Sequence, residues 1–169
     1  MKKLPFILLL SGFTVLSSCS KDKEDDLANL EKGEIRITVN GVTKDLKSGI
    51  ARKTTVQDMP VFSLVAYKDR GNPFLEQVAI SFYNSEVDTA EYIFGILGQS
   101  NLSGTYITTS EGTPMTYMTI GYSQYTGLLK ITELSESYVK GNFYFKAYCD
   151  QNQQSIEVTN GEFFLGIDR

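Results

Sequence analysis

An all-β fold, either an antiparallel β-sandwich or a barrel-like domain, is the class that the sequence predicts. Many short runs are rich in Tyr, Phe, Thr, Ile and Val, and turn-forming residues separate them. No segment keeps the apolar spacing of about 3.6 residues that an amphipathic helix requires. The chain has 169 residues, and its ten Phe and ten Tyr supply apolar area for one core. We therefore expect a single all-β domain over residues 33–169.

Residues 1–18 have the pattern of a signal peptide. Lys2 and Lys3 form a positive start, and an apolar run follows from Leu4 to Leu16. A membrane-spanning helix needs about 20 apolar residues, and this run is shorter. A buried strand or helix is the alternative interpretation, but the flanking residues favour a leader.

A lone cysteine ends this leader in the sequence Leu16-Ser17-Ser18-Cys19. The pattern resembles the lipobox of bacterial lipoproteins, which implies cleavage before Cys19, a diacylglycerol thioether on its sulfur and acylation of its new amine, with palmitate as one such chain. Acyl chains contribute about 0.8 kcal/mol per buried CH₂ to membrane binding. Cys19 is thus the predicted lipidation site and membrane anchor.

Residues 19–32 form the predicted tether, which begins with the charged run Ser20-Lys21-Asp22-Lys23-Glu24-Asp25-Asp26. Its charge alone is typical of a solvated, disordered segment. The run also resembles the export signal by which Bacteroidota-type lipoproteins reach the outer face of the outer membrane. Both interpretations can hold together, and the second predicts a protein on the outer membrane that faces the outside.

The first structured element predicted is a hairpin. Ile35, Ile37 and Val39 alternate with polar residues, and Asn40-Gly41 suits a type I′ turn. Eight more strands follow between turn-forming residues: Pro60–Tyr67, Glu76–Asn84, Tyr92–Leu97, Gly104–Thr109, Met115–Ser123, Gly127–Leu134, Tyr138–Cys149 and Gln154–Ile167. We expect Asn160-Gly161 to turn the last of these into a closing hairpin, and a short helix could lie at Leu27–Lys32 or Asp88–Leu97.

The C-terminal part contains an ordered set of strand and turn motifs. The motif positions are Gly104, Thr105 and Tyr106; Ile131 and Thr132; Gly141, Phe143, Phe145 and Ala147; and Thr159, Asn160, Gly161 and Phe163. This set resembles a family of small Bacteroidota surface lipoproteins of unknown function, which implies a β-scaffold and no particular activity. Residues Gly49–Lys53 match the second strand of that family only loosely.

Several kinds of chemistry are excluded by composition. The chain has no histidine, so it lacks the Ser-His-Asp arrangement and the usual His-containing zinc sites. Cys149 continues the alternating series Phe143, Phe145 and Ala147, in which every second residue faces the same side of a strand. This position indicates a small buried hydrophobe rather than a nucleophile. The formal charge of −4 becomes −6 without Lys2 and Lys3, and an acidic domain is a poor partner for nucleic acid. No calcium loop or phosphate loop is present, so no metal or cofactor is predicted.

Acidic and aromatic side chains are the remaining candidates for a site. Most of the acids lie beside turn residues, which is typical of solvated loop charges, although two could converge as in glycosidases. The tyrosines could stack on sugar rings or bind a protein, but packing across strands is favoured. The acids are Asp69, Glu76, Glu86, Asp88, Glu91, Glu111, Glu133 and Glu136, and the tyrosines are Tyr117, Tyr122, Tyr125, Tyr138, Tyr144 and Tyr148.

The function expected from these features is that of a lipid-anchored cell-envelope lipoprotein that acts as a binding or structural accessory domain. Its partners would be the membrane, through Cys19, and a protein or glycan. No catalytic residue is predicted. A small-ligand carrier similar in concept to lipocalins is the first alternative, and a glycan-active enzyme that uses two carboxylates is the second.

Overall fold

The computed structural model describes residues 29–94, 101–119 and 127–168, and this part of the chain contains eleven strands and no α-helix. Within these ranges, no helix is long and apolar enough to span a membrane. The strands are β1 (Glu34–Val39), β2 (Val42–Leu46), β3 (Ser48–Val56), β4 (Met59–Tyr67), β5 (Glu76–Tyr83), β6 (Glu91–Phe94), β7 (Leu102–Ser110), β8 (Thr113–Met118), β9 (Gly127–Leu134), β10 (Tyr138–Cys149) and β11 (Gln154–Asp168).

The strands form two antiparallel layers that join at two corners. The first layer has the order β2-β1-β11-β10-β9-β6, and the second has the order β3-β4-β5-β7-β8. At one corner the end of β11 pairs with β3 in parallel, through Ile167 with Ala51. At the other corner Tyr148 at the end of β10 pairs with Met118 of β8. These two pairings close the strands into one barrel-like sheet, which confirms the predicted all-β class.

The interior between the layers is filled by aromatic rings in contact. The ring of Phe145 lies 6.0 Å from that of Phe143 and 5.4 Å from that of Phe94, measured between centroids. Phe82 makes an edge-to-face contact with Tyr92 at 5.0 Å. Such pairs contribute about 0.5–1.5 kcal/mol each beyond their buried area. Alternating inward residues of both layers therefore supply the core.

The predicted N-terminal hairpin is confirmed. Asn40 and Gly41 have φ of 48° and 83°, as a type I′ turn requires, and Val39 pairs with Val42 across them. The eight other predicted strands also correspond to strands of the structure, although parts of Tyr92–Leu97 and Met115–Ser123 lie outside the described residues. An α-helix is absent from residues 88–94, where β6 forms instead. In the other predicted segment Asn29 has 3₁₀ conformation and residues 30–32 are not helical; residues 27, 28 and 95–97 lie outside the described ranges.

The prediction of a closing hairpin at Asn160-Gly161 is wrong, because β11 runs without a turn from Gln154 to Asp168. Asn160 has a φ of 47°, and the register shifts opposite it on both neighbouring strands, between Arg36 and Thr38 and between Phe143 and Phe145. The left-handed residue thus makes a β-bulge that admits one extra residue. Each half of β11 pairs with β1 on one side and with β10 on the other, so the two halves cannot pair with each other.

Strand β3 was not predicted, because its sequence carries little alternation. Five of its nine positions, from Arg52 to Val56, are exposed in a row. It is joined to β4 by Gln57-Asp58, whose φ values of 50° and 62° form a turn without the glycine that usually signals one. Its place in the sheet is set by full pairing with β4.

Candidate functional site

The outward face of the first layer carries a row of polar side chains that crosses all six strands. Each member lies opposite the next in the strand register. Arg36 Nε donates to Asp45 Oδ1 at 2.8 Å, and Lys130 Nζ lies 3.6 Å from Glu91 Oε1. Charges of opposite sign thus alternate along most of this polar row, which is made of Asp45, Arg36, Glu162, Asn142, Lys130 and Glu91.

A second row beside the polar row changes from hydroxyl groups to apolar groups along its length. At one end the Oγ1 atoms of Thr38 and Thr43 lie 3.3 Å apart. At the other end Tyr144 pairs with Leu128, which pairs with Ile93 of the edge strand β6. Tyr144 is 52% exposed and Ile93 is 68% exposed. The tyrosine ring is therefore an accessible surface on a rigid strand.

A cleft of about 460 Å³ lies where these two rows meet the bulge of β11. We call it the sheet cleft. The bulge creates its floor: Gly161 lies against Phe143, whose ring atoms would be 2.7 Å from a side-chain carbon built at that glycine. Threonine, asparagine, arginine and glutamate side chains form its walls. Its lining consists of Arg36, Thr38, Thr43, Asn142, Phe143, Tyr144, Asn160, Gly161 and Glu162.

The charge of Arg36 is fixed by its surroundings. The hydrogen bond that Arg36 donates to Asp45 is the main cause that raises the pKa of Arg36; burial opposes it, and the nearby charges of Asp45, Glu162 and Glu34 add to it. The bond to Asp45 also holds the guanidinium in one orientation. The sheet cleft thus offers one oriented cation beside one carboxylate and several neutral hydrogen-bonding groups.

A second cluster of charge lies at the inner side of the edge strand β2. Lys44 pairs with Ile37 in the register, so its side chain faces inward like that of Ile37. Its Nζ contacts the carboxylate of Glu76 and donates to Tyr106 Oη at 2.9 Å, and Tyr106 in turn donates to Glu76. Lys68 lies farther off, with its Nζ 3.7 Å from Glu76 Oε2. We call Lys44, Glu76 and Tyr106 the inner ionic cluster.

The interpretation of the candidate acids as solvated loop charges is wrong for Glu76, which belongs to the inner ionic cluster. Glu76 is only 4% exposed, so it is not a solvated loop charge, whereas the other seven candidate acids are exposed. The signal that could have found it is its place at the start of a strand of alternating apolar residues, where it continues the inward face of Val78 and Ile80. Its partners are cations and a hydroxyl group, which is an arrangement for joining strands.

Alkaline pH is expected to weaken the inner ionic cluster. Burial is the main cause that raises the pKa of Tyr106, and the bond to Glu76 adds to it. For Lys44, burial acts in the opposite direction, but bonds to Glu76 and Tyr106 prevail and raise its pKa. Both groups hold their protons more tightly in the folded state than in the unfolded state. Their contribution to the free energy of unfolding is therefore complete below the unfolded pKa values of about 10, and it is lost as the pH rises through the higher pKa values of the folded state.

We therefore expect the free-energy difference between the wild type and Tyr106→Phe to be constant near neutral pH and to shrink as the pH rises above about 10. Urea titrations of both proteins at pH values between about 7 and 11, spaced by about one pH unit, would measure this free-energy difference. A difference that grows with pH would contradict the assignment of these protonation states.

The remaining candidate residues occupy different environments. Tyr117 is buried, and its hydroxyl accepts a hydrogen bond from Asn152 Nδ2 at 2.8 Å. Lys140 and Tyr138 both donate to the exposed carboxylate of Glu133 at 3.1 Å, and these bonds, that of Lys140 above all, lower the pKa of Glu133. Tyr117 is thus packed in the core, whereas Tyr144 lies on the surface opposite Leu128 of the neighbouring strand. Tyr148 is half-buried, and Tyr122 and Tyr125 lie outside the described residues.

One of the two cysteines, Cys149, lies in the described part of the chain. Cys149 is 1% exposed and is a free thiol, which confirms that it is a small buried residue of the core. Cys19 lies outside the described residues. No group of three or more Cys, Asp or Glu side chains within residues 29–94, 101–119 and 127–168 is placed to hold a metal ion.

Two further clefts adjoin each other, because Lys53 and Leu134 line both. Their volumes are about 360 Å³ and 610 Å³. Glu86 lines the first cleft and Glu136 lines the second, so two of the candidate acids lie in adjoining clefts. Val61, Phe62 and Val87 line the first cleft, which makes it more apolar than the sheet cleft.

These features define the class of the protein as an all-β domain with a polar cleft on one sheet face. The profile of a family described as "Domain of unknown function (DUF6252)" matches residues 53–166, so the chain belongs to that family. Neither the curated proteins nor the solved structures contain a significant match.

The family match confirms the coarser part of the sequence resemblance, a family of unknown function. The matched segment begins within β3 and ends within β11, so it contains Glu76, Tyr106 and Tyr144. The hairpin of β1 and β2 lies before it and supplies Arg36 and Lys44. Both the sheet cleft and the inner ionic cluster therefore combine residues from inside and outside the matched segment.

Proposed function

We propose that the protein is a lipid-anchored lipoprotein of the cell envelope, held at the outer membrane and facing outward, whose β-domain is a binding accessory. The anchor would be Cys19, at the end of an apolar leader of the kind found in bacterial lipoproteins of Bacteroidota type. The acidic run Ser20–Asp26 supports export to the surface. The membrane would be one partner and the ligand of the β-domain the other.

The sheet cleft is the observation that carries the binding role. It lies on the outward face of a six-stranded layer, and paired strands on both sides hold its walls. Its volume of about 460 Å³ falls in the range of about 300–1,000 Å³ that is typical of small-molecule sites. A rigid, polar and preformed cleft favours recognition of a ligand over a purely structural role.

The anchor is tested by metabolic labelling of cells with a palmitate analogue. The wild type should be labelled, and Cys19→Ala should lose the label, because the thioether cannot form without the sulfur. Cys149→Ala is the matched control, since it removes the buried cysteine and should leave the label unchanged. Equal labelling of Cys19→Ala and the wild type would contradict the proposed anchor.

The outward orientation needs a separate measurement. Intact cells would be treated with a protease that cannot cross the outer membrane, and the surviving protein would be quantified. We expect the wild type to be degraded. A variant with the acidic residues Asp22, Glu24, Asp25 and Asp26 replaced by Ala should be protected if the run is an export signal. Protection of the wild type in intact cells, with degradation after lysis, would contradict surface exposure.

The two alternative functions have less support. A lipocalin-like carrier needs an open interior, whereas the rings of Phe94, Phe143 and Phe145 lie in contact between the layers. A carboxylate-dependent enzyme needs two acids that share a substrate, whereas Glu86 and Glu136 line two separate, adjoining clefts. The buried Glu76 is paired with Lys44 and Tyr106. The sheet cleft favours the binding role.

A further inference from the structure

We propose that the ligand of the sheet cleft is a neutral carbohydrate, with one sugar ring stacked on Tyr144. This inference rests on the proposed function, because it names the ligand class of the same cleft. Tyr144 is 52% exposed and stands on β10, which pairs with β9 at Tyr144 itself and with β11 at the residues on either side, Phe143 and Phe145. The ring is therefore presented on a rigid support, and stacking on it costs little conformational entropy.

The composition of the walls favours a ligand with many hydroxyl groups. Each threonine hydroxyl and each asparagine amide can both donate and accept hydrogen bonds. A sugar ring likewise presents adjacent hydroxyls that donate and accept, while its C–H faces are apolar and suit an aromatic ring. The neutral polar groups of the cleft are Thr38, Thr43, Asn142 and Asn160.

The charge balance argues against a phosphate or another anion as the ligand. Arg36 and Glu162 both line the cleft, and they lie opposite each other in the strand register. An anion would be attracted by the guanidinium of Arg36 and repelled by the carboxylate of Glu162, so the net electrostatic attraction is small. A neutral ligand could accept hydrogen bonds from Arg36 and donate to Glu162, and both charged groups would then be used.

The position of the apolar residues suggests that more than one sugar unit binds. Beyond Tyr144 the second row continues through Leu128 to Ile93, toward the free edge of the layer at β6. Successive sugar units could lie along this row, with their hydroxyls toward the polar row that includes Asn142 and Lys130. An oligosaccharide or polysaccharide thus fits the surface better than a monosaccharide.

The proposal is tested by native affinity electrophoresis of the full chain in a polyoxyethylene detergent, because sugar-based detergents would compete. The gels would contain soluble starch, dextran, xyloglucan, mannan or galactan. We expect at least one polysaccharide to retard the wild type. Tyr144→Ala should weaken that binding by about twofold to tenfold, because it removes the ring on which the sugar stacks.

Three matched variants separate binding from folding. Tyr83→Ala removes another exposed aromatic residue from the outward face of the second layer and should bind as the wild type does. Tyr144→Phe keeps the ring and should retain most of the affinity. Asn142→Ala keeps Tyr144 but removes a hydrogen-bonding group of the cleft, so its binding should be weaker than that of the wild type.

Other outcomes would overturn the proposal. Failure of all five polysaccharides to retard the wild type would do so, as would equal weakening by Tyr144→Ala and Tyr83→Ala. A concentration-dependent mobility shift in the sugar-free gel that Tyr144→Ala abolishes would instead assign the cleft to a second copy of the chain. Lipid labelling at Cys19 without retardation would refute the ligand class alone, whereas retardation without labelling would refute the anchor alone.

Discussion

Replacement of Lys44 by Met is expected to lower the free energy of unfolding by about 1.5–3 kcal/mol, the usual value of a hydrogen bond to a charged group. The loss is limited to this value because Lys44 is partly exposed and Glu76 keeps Tyr106 as a donor. The variant keeps most of the side-chain volume but leaves the carboxylate of Glu76, whose side chain is 6% exposed, with one fewer donor. Urea denaturation followed by circular dichroism would measure the change.

Two control variants make this result specific to the inner ionic cluster. Lys68→Met removes a cation whose side chain is 58% exposed and whose Nζ lies 3.7 Å from Glu76, so it should cost less than about 1 kcal/mol. The double variant Lys44→Met with Glu76→Leu replaces the pair by apolar groups and should recover most of the lost stability. Equal losses for Lys44→Met and Lys68→Met would contradict the inward placement of Lys44.

Replacement of Gly141 by Ala should cost about 3 kcal/mol, at the upper end of the range for inserted volume in a packed core. A side-chain carbon at this position would lie 2.0 Å from the backbone carbonyl oxygen of Lys130 and 2.7 Å from the ring of Phe163. The clash with the carbonyl cannot be relieved by a side-chain rotation. Strand β9 would have to move away from β10 at the register shift beside Gly141.

Gly71→Ala is the matched control for this prediction. Its new carbon would meet only the carboxylate oxygen of Asp69, at 3.3 Å, and that side chain is exposed and able to move. We expect a change of less than about 0.5 kcal/mol, as is usual for surface substitutions. Thermal unfolding of both variants would compare them, and a larger loss for Gly71→Ala would show that the close approach of β9 to β10 does not exist.

The parts of the fold that could be predicted are those encoded by local pattern. Alternation located most strands, and Asn40-Gly41 located its hairpin because both residues accept positive φ. The same dipeptide at Asn160-Gly161 makes a bulge, since its flanking segments pair with β1 and β10. The choice between turn and bulge depends on neighbours that are distant in the sequence.

The candidate site could be predicted only in part for the same reason. Tyr144 was among the tyrosines considered, and stacking on sugar rings was one interpretation of them. Its neighbours in the sheet cleft come from β1, β2 and β11, and only the register of those strands brings Arg36 and Asn160 to it. The alternation of β5 could have shown that Glu76 is buried, but its partner has no local signal, because Lys44 reaches it from another layer.

The position of β11 has a consequence for how the molecule reaches its folded state. This strand is the last of the described domain, yet it lies between β1 and β10 and also closes the corner with β3. The first strand of the described domain therefore has no partner for its inner edge until β11 has been synthesised. Pairing between strands that are so distant in the sequence gives a high contact order, and folds of that kind form over about milliseconds to seconds. Completion of the barrel-like sheet is thus a late event in folding, because it depends on the arrival of β11.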